Sequence, residues 1–511
     1  MDQEGHRRER SRRLALAEKR IGRFYWMAAL ILAVGVRLYL FENYYTINND
    51  GIVYIDAARH FWRGEWGEGL GSFYPPLFPL MIAAVYPLVG DWELAGQFWP
   101  LLLSLLIPLP LFGLLSRIHG PRVAQVALVF YGVSPYLARL SLEVRSELPY
   151  SFFVVLALFL LQRALDDGRL LPLFLMGISC ALAYLARPEG IGLMVVGVSY
   201  LVYRGWDTGR AHRPWLKAGA VALGFLLFAA PYILYLRWDT GKWLISRKAS
   251  FIVALGLARY DPDADRVGVK ESDQVGIVRQ ISSRPLSYAK KVFIDAFRSL
   301  GFYFEALHYS YLPFLFIGWI FYFRGRFWEK PEFLLFAVIA SYLAAFSLLY
   351  VTRRYGVPLA SISLGWVAAG FLAVKEYSSN RWGRRGILCT GIILAAFVGG
   401  TLPKTLQAIG KDKFYLREAG VYLKERPGRP TIVTTNGRVG FYAAGQNRIL
   451  IKKSAELPDL LSPASGDYLA LDKPAYLEAE ASLAQHGWSL DREFTGGEKE
   501  GLFILCRAKS P

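Results

Sequence analysis

Three groups of residues in the 511-residue chain hold the side chains best suited to chemistry. The first is Asn48-Asn49-Asp50, just after an apolar run at about 23–41. A carboxylate placed there can take the proton of a hydroxyl acceptor as its oxygen attacks an electrophilic carbon. It can equally cap the helix that follows, and the two roles are compatible. The second stretch is Ser141-Leu142-Glu143-Val144-Arg145-Ser146-Glu147. Glu143 and Glu147 are four apart, which predicts one helical face. They could hold a metal, orient an acceptor or pair with arginines. The plain alternative is an Arg145 salt bridge and a carboxylate at a helix N-terminus. The third group is basic: Arg187-Pro188-Glu189-Gly190 and Thr352-Arg353-Arg354-Tyr355. A guanidinium holds a phosphate through charge-assisted bonds. A tight turn and plain headgroup contact are the alternatives. Adjacent arginines point in different directions, so one of Arg353 and Arg354 is expected at a phosphate.

Two tyrosines complete the candidate set. Tyr54 begins the series Tyr54, Ala57, Ala58, Phe61, Trp62, which falls on one helical face. A short helix with an aromatic face beside a membrane span lies flat at the bilayer surface. Tyr74 opens Tyr74-Pro75-Pro76-Leu77, a rigid entry into the next apolar segment. There it reads as an aromatic anchor before helix-starting prolines.

Composition supplies the frame for these residues. The chain is 54% hydrophobic and 15% aromatic, with mean hydropathy +0.28, which is the profile of a polytopic membrane protein. The net charge of +18 clusters between apolar segments. Membrane orientation accounts for that, and no nucleic acid is expected. Three cysteines and six scattered histidines suggest neither a disulfide framework nor a metal centre. The basic N-terminus, Arg7 to Arg23, precedes the first apolar run. No small-residue cleavage site follows Phe41, so an uncleaved anchor is expected.

Apolar segments lie near 24–41, 75–89, 94–115, 121–138, 148–164, 171–186, 190–203, 216–236, 310–324, 333–351, 357–374 and 386–402. The segment at 75–89 is short and carries Pro75, Pro76, Pro79 and Pro87. Charge parity addresses it. If it does not cross, the loops with Arg117/Arg122, Arg163/Arg169, Arg204 to Lys217, Arg324 to Lys330 and Lys375 to Arg385 all fall inside. If it crosses, the later basic loops face out, against the positive-inside rule. About eleven spans are therefore expected, with 75–89 dipping into the outer leaflet. Asp50, Glu143, Arg145, Glu147, Arg187, Glu189, Arg353, Arg354 and Tyr355 then share the outer face. Ionisable groups beside the bilayer are costly unless paired or used.

The expected organisation is a cytoplasmic basic N-terminus (1–23), a membrane domain (24–402) with outer loops at 42–93 and 237–309, and a C-terminal extracytoplasmic domain (403–511). The run Asp261-Pro262-Asp263-Ala264-Asp265 in the second loop reads as a solvated turn; its spacing does not fit a calcium loop. In the C-terminal part, helices are predicted over 411–425 and 474–486. Strands are predicted at 431–435, 449–451, 468–471 and 502–505, a small α/β domain. It is expected to be structural, or a cap over the membrane site.

Taken together, the order of these features resembles the GT-C glycosyltransferases. They are an outer Asp after the first span, an interfacial helix, Tyr-Pro-Pro-Leu, an acid before the fourth span, and Arg-Pro-Glu-Gly. Most similar is the bacterial branch of the protein O-mannosyltransferase superfamily (family 39-like), which includes the lipid A aminoarabinose transferases. The resemblance spans about residues 20–400. It implies a polyprenyl-phosphate sugar donor, an acceptor outside the cytoplasmic (inner) membrane, and inversion at the anomeric carbon. Lipid, glycan and protein acceptors all fit. By motif position Asp50 corresponds to the catalytic Asp, Glu147 to the second-loop acid, expected as a catalytic residue that positions the acceptor hydroxyl, and Arg187 with Arg353-Arg354 to basic positions near the donor phosphate. Substrate contact is expected of Tyr54, Tyr74, Glu143, Arg145, Glu189 and Tyr355. Asn49 precedes Asp50 and Gly51 follows it, so a first-loop acid pair is missing. A metal-independent reaction is expected, with arginines neutralising the leaving phosphate. The competing reading, a transporter or flippase of lipid-linked sugars, calls for matched halves with broken midplane helices. No internal repeat of that kind is evident.

Overall fold

The computed structural model describes residues 26–207, 214–260, 281–428, 430–443, 447–450, 466–497 and 500–507. The basic N-terminus before Trp26, the acidic run Asp261 to Asp265 and the predicted strand residue Ile451 lie outside the described residues. The chain divides into two compact units. One comprises the chain up to Tyr39 together with Ala57–Gln407; the other comprises Leu40–Asp56 together with Ala408–Pro511.

The first unit is helical. After α1 (26–42), α2 (Asn49–Trp62), α3 (Trp66–Leu70) and α4 (Leu77–Val89) lead into α5 (Trp92–Leu106) and α6 (Pro108–Ile118). The segment expected at 121–138 is two helices, α7 (Pro121–Gly132) and α8 (Pro135–Leu140). Pro135 cannot donate to the preceding turn, so the helix restarts there. Next come α9 (Glu147–Asp167), α10 (Leu170–Ala186), α11 (Gly190–Asp207) and α12 (Pro214–Thr240). Those 13 residues of α4 rise only about 20 Å, short of the roughly 30 Å of a hydrocarbon core. The loop at 237–309, expected outside, holds α13 (Lys248–Ala258) and α14 (Pro285–Leu307). α15 (Leu312–Tyr322), α16 (Phe333–Leu348) and α17 (Val357–Thr405) follow. α17 is two helical runs meeting at Gly383, whose φ of 53° only glycine adopts cheaply.

Close backbone packing holds this unit together. α10 lies against α9 and α12. A Cβ on Gly177 would overlap the carbonyl oxygen of Val221, and one on Gly224 that of Phe174. Small residues at such contacts let membrane helices approach and gain dispersion energy that lipid cannot supply. α14 is tied to α16 by the buried Lys291, whose Nζ donates to the Ser347 carbonyl at 2.8 Å and pairs with Asp295 at 3.4 Å.

The second unit is a sheet between two helical layers. Strand order is β2-β1-β3-β5-β4, with β1 (Thr431–Thr434), β2 (Asn447–Leu450), β3 (Tyr468–Asp472), β4 (Trp488–Thr495) and β5 (Gly501–Arg507). β1 runs parallel to β2 and β3, while β5 runs antiparallel to β3 and β4. Successive side chains point to opposite faces. Ile432, Ala470 and Ile504 therefore pack with Leu416 and Leu423 of α18 (Phe414–Lys424), beside the short α19 (Gly437–Tyr442). Val433, Leu469, Leu471 and Phe503 pack on the other face with Leu483 of α20 (Lys473–Gln485). The expected helices and strands are present. β4 was not foreseen, because Asp491-Arg492-Glu493 hides its alternation; charges on such an edge strand discourage pairing with other chains.

Candidate functional site

In the first unit, a buried ionic cluster forms where α9, α10 and α17 begin or end. Glu147 starts α9 and is 2% exposed; Arg187 ends α10 and is 6% exposed. Arg187 Nη1 meets Glu147 Oε1 at 2.9 Å, and its Nη2 meets Glu189 Oε1 at 3.2 Å. Arg354 Nη1 reaches the same Glu147 oxygen at 3.5 Å. The Arg187 guanidinium lies over the ring of Tyr355, 4.8 Å from its centroid, and 5.9 Å from that of Tyr150. Tyr150 donates to Tyr342 Oη at 2.9 Å, and Tyr342 donates to the Glu189 carbonyl at 3.1 Å. Burial opposes ionisation of Glu189. Arg187 and Lys248 outweigh it and hold this carboxyl below its ordinary range.

Sequence reasoning did not single out Lys248. In the structure its Nζ lies 5.1 Å from the ring centroid of Tyr74 and 5.7 Å from that of Tyr355. Tyr74 thus joins the cluster. The available signal was that Lys248 stands just before Phe251-Ile252-Val253-Ala254-Leu255, an apolar stretch in the loop. An apolar cleft of about 220 Å³ opens beside these groups. Ile191, Val196, Ile252, Ala345 and Phe346 line its length, and Glu189, Lys248 and Tyr355 its polar end.

Other candidates go elsewhere. Arg353 pairs with Glu305 at 3.0 Å, and Tyr136 donates to the same carboxylate at 3.2 Å, so the two adjacent arginines part. Glu143 and Glu147 do not share a helical face. Residues 141–146 are turns, and α9 begins at Glu147. Pro149 has no N–H for the Arg145 carbonyl, so the helix does not extend back to Glu143. Glu143 instead pairs with Arg139 at 3.0 Å and Arg145 at 2.6 Å. Among the described residues, no three of His, Cys, Asp or Glu gather as a metal site.

Asp50 belongs to the second unit and stands half-buried in the first turn of α2. Asn48 caps that turn, its Oδ1 accepting from the Gly51 amide at 2.9 Å. The capping role open to Asp50 is thus filled by Asn48. Tyr54 is 3% exposed on the same helix; Ala57, Ala58 and Phe61 are also buried, while Trp62 is 51% exposed.

Residues 74–235 match the family model for dolichyl-phosphate-mannose-protein mannosyltransferase. The chain is similar to the structure of ArnT from Cupriavidus metallidurans bound to undecaprenyl phosphate. The TM-score is 0.61 at 14% identity, over 95% of this chain and 98% of that one. It is also similar to the oligosaccharyltransferase AglB from Archaeoglobus fulgidus in complex with an inhibitory peptide and a dolichol-phosphate. There the TM-score is 0.58 at 12% identity, over 91% of this chain and 70% of that one. No curated protein matches by sequence. At these identities the structural likeness speaks for the fold.

Proposed function

We propose that this chain, a membrane protein with the GT-C glycosyltransferase fold, moves a sugar from a polyprenyl-phosphate donor to an acceptor hydroxyl at the outer face of the cytoplasmic membrane. The observation that carries this reading is the apolar cleft with Glu189, Lys248 and Tyr355 at its polar end, beside Arg187. A polyprenyl chain matches the apolar walls, and its phosphate matches the Lys248 ammonium and the nearby Arg187 guanidinium. The bound undecaprenyl phosphate and dolichol-phosphate of the two similar structures support the same ligand class.

The chemistry is a single displacement. Asp50 takes the proton of the acceptor hydroxyl as that oxygen bonds to the anomeric carbon. The bond from that carbon to the phosphate oxygen breaks on the opposite side, which inverts the centre. The departing polyprenyl phosphate takes the electron pair and is stabilised by Arg187, Lys248 and Arg354 without a metal ion. Glu147 is the fixed counter-charge that keeps Arg187 and Arg354 in place before the donor arrives. Glycan, lipid and protein acceptors are all compatible with this scheme.

The test is native mass spectrometry in mild detergent with undecaprenyl phosphate as the probe. Wild type and Asp50→Asn are expected to bind it equally, and Arg187→Ala at least 10-fold more weakly. Protein purified from its own membranes should carry a polyprenyl-phosphate sugar, enriched in Asp50→Asn because transfer is blocked. Failure of wild type to bind the probe would overturn the donor assignment. Full transfer by Asp50→Asn would remove Asp50 from the chemistry.

A further inference from the structure

The stretch that carries Asp50 has little regular structure of its own. Between the end of α1 at 42 and the start of α2 at Asn49, residues 43–48 form neither helix nor strand ladder beyond one bridge. Backbone polar groups in such a segment must still find partners. Here they find them in the C-terminal part of the chain. The Ile409 amide donates to the Asn43 carbonyl at 2.9 Å, and the Tyr45 amide donates to the Ile409 carbonyl at 2.9 Å. Arg417 Nη1 donates to the Tyr45 carbonyl at 3.0 Å, and the Ile47 amide donates to Tyr442 Oη at 2.8 Å. Alternate residues 43, 45 and 47 are thus each held through their own main-chain atoms.

Side chains fix the same register. Thr46 and Ile47 are 4% and 0% exposed. The Tyr45 ring meets that of Phe414 edge-on at 5.4 Å. Gly410 sits at φ 71°, and a Cβ there would come 2.8 Å from Thr46. The two clamping side chains also support each other: the Arg417 guanidinium lies 5.1 Å from the Tyr442 ring centroid. Arg417 comes from α18 and Tyr442 from α19, both anchored on the sheet through Leu416 and Val439. The last tie, at Ile47, is three residues before Asp50, and Asn48 then caps α2. An unbroken series of packed and hydrogen-bonded groups runs from the sheet to the helix that carries the carboxylate.

We propose that the C-terminal α/β unit is the template for the Asp50 carboxylate, with Tyr442 and Arg417 as positioning residues. This rests on the reading of Asp50 as the general base. It makes the C-terminal unit part of the transfer machinery rather than a cap. A base must be held within a fraction of an ångström of its target, and about 1 Å of misplacement can cost on the order of 100-fold in rate.

Full-length Tyr442→Phe, Arg417→Met and Arg417→Lys, set beside wild type, test this with three readouts. Hydrogen–deuterium exchange of peptides covering 43–50 reads the loop. Affinity for undecaprenyl phosphate reads donor binding. Initial rate at saturating donor, in membranes with a radiolabelled polyprenyl-phosphate sugar pool, reads transfer. Tyr442→Phe and Arg417→Met are expected to speed exchange in 43–50 with the peptides of β1 and β3 unchanged. They should lower the saturated rate about 10- to 100-fold and leave the affinity within 2-fold. Arg417→Lys keeps a donor for the Tyr45 carbonyl and should recover most of the rate. Unchanged exchange in both variants would overturn the proposal, as would faster exchange with an unchanged rate. General loosening of the whole unit, with no rescue by Arg417→Lys, would show a merely structural contact and also overturn it. Failure of the functional reading looks different, because wild type itself then neither binds undecaprenyl phosphate nor transfers label.

Discussion

Arg187 is held by two carboxylates and two aromatic rings, which orients its guanidinium before any ligand binds. Removing one partner of such a buried pair leaves the other charged and desolvated, at a cost of about 3–5 kcal/mol. Arg187→Met is therefore expected to lower the unfolding temperature in detergent sharply. The double variant Arg187→Met/Glu147→Gln should recover part of that loss, and strict additivity in the double-mutant cycle would show that the pair is not coupled. Glu189 sets an acid limit at the same place. Its carboxyl lies below the ordinary value of 4.5 because Arg187 and Lys248 outweigh burial. Such a group contributes stability that is fully present above the unfolded value and is lost as pH falls through the lower native one. Stability should thus be unaffected by this group from neutrality to about pH 5 and decline beneath the 4.5 of an unperturbed carboxyl. Thermal unfolding across pH, with Glu189→Gln lacking that acid limb, checks the sign.

At the scale of elements, the cluster depends on where helices stop. Arg187 sits at the end of α10 because Pro188 follows it, and Glu147 sits at the start of α9 with Pro149 in its first turn. Those stops are written locally, so the candidate residues were legible. Their partners were not. Glu147 meets Arg354 across 207 positions, and adjacency alone does not tell that Arg353 turns to Glu305. The depth at which α10 meets α12 is set by Gly177 and Gly224. Gly177→Val is expected to force these helices apart, at about 1–3 kcal/mol for overpacking. It should lower monodisperse yield and melting temperature, whereas Gly192→Ala, with open space around its Cβ position, should be near neutral. Equal behaviour of the two variants in size-exclusion chromatography and thermal shift would contradict this packing account.

At the scale of the whole molecule, the membrane-spanning part follows from composition, and its orientation is a prediction from charge. Exposed Arg384 lies in the basic stretch expected inside, and exposed Glu478 lies in the C-terminal unit expected outside. In spheroplasts, with Cys506→Ser as background, Glu478→Cys should react with a membrane-impermeant maleimide. Arg384→Cys should react only after permeabilisation. The reverse pattern would invert the topology and place Asp50 in the cytoplasm.

Some of this protein is set by short-range chemistry and can be read along the chain. Apolar runs, helix-stopping prolines, alternating strands and basic loops each depend on neighbours within a few residues. They were enough for a polytopic helical membrane domain and for an α/β C-terminal unit; the GT-C class was an expectation from the resemblance in the order of the motifs. The sequence also singled out Asp50, Glu147 and Arg187, because charge at the end of an apolar run is conspicuous. What only the tertiary structure decided is which distant groups share a charge or a backbone bond. Lys248 reaches Tyr74 and Tyr355 through the fold of the loop at 237–309, and residues 43–47 are held by Ile409, Arg417 and Tyr442, 364 to 395 positions away. A hydrogen bond or ion pair depends on distance in space, and separation along the chain carries no trace of it.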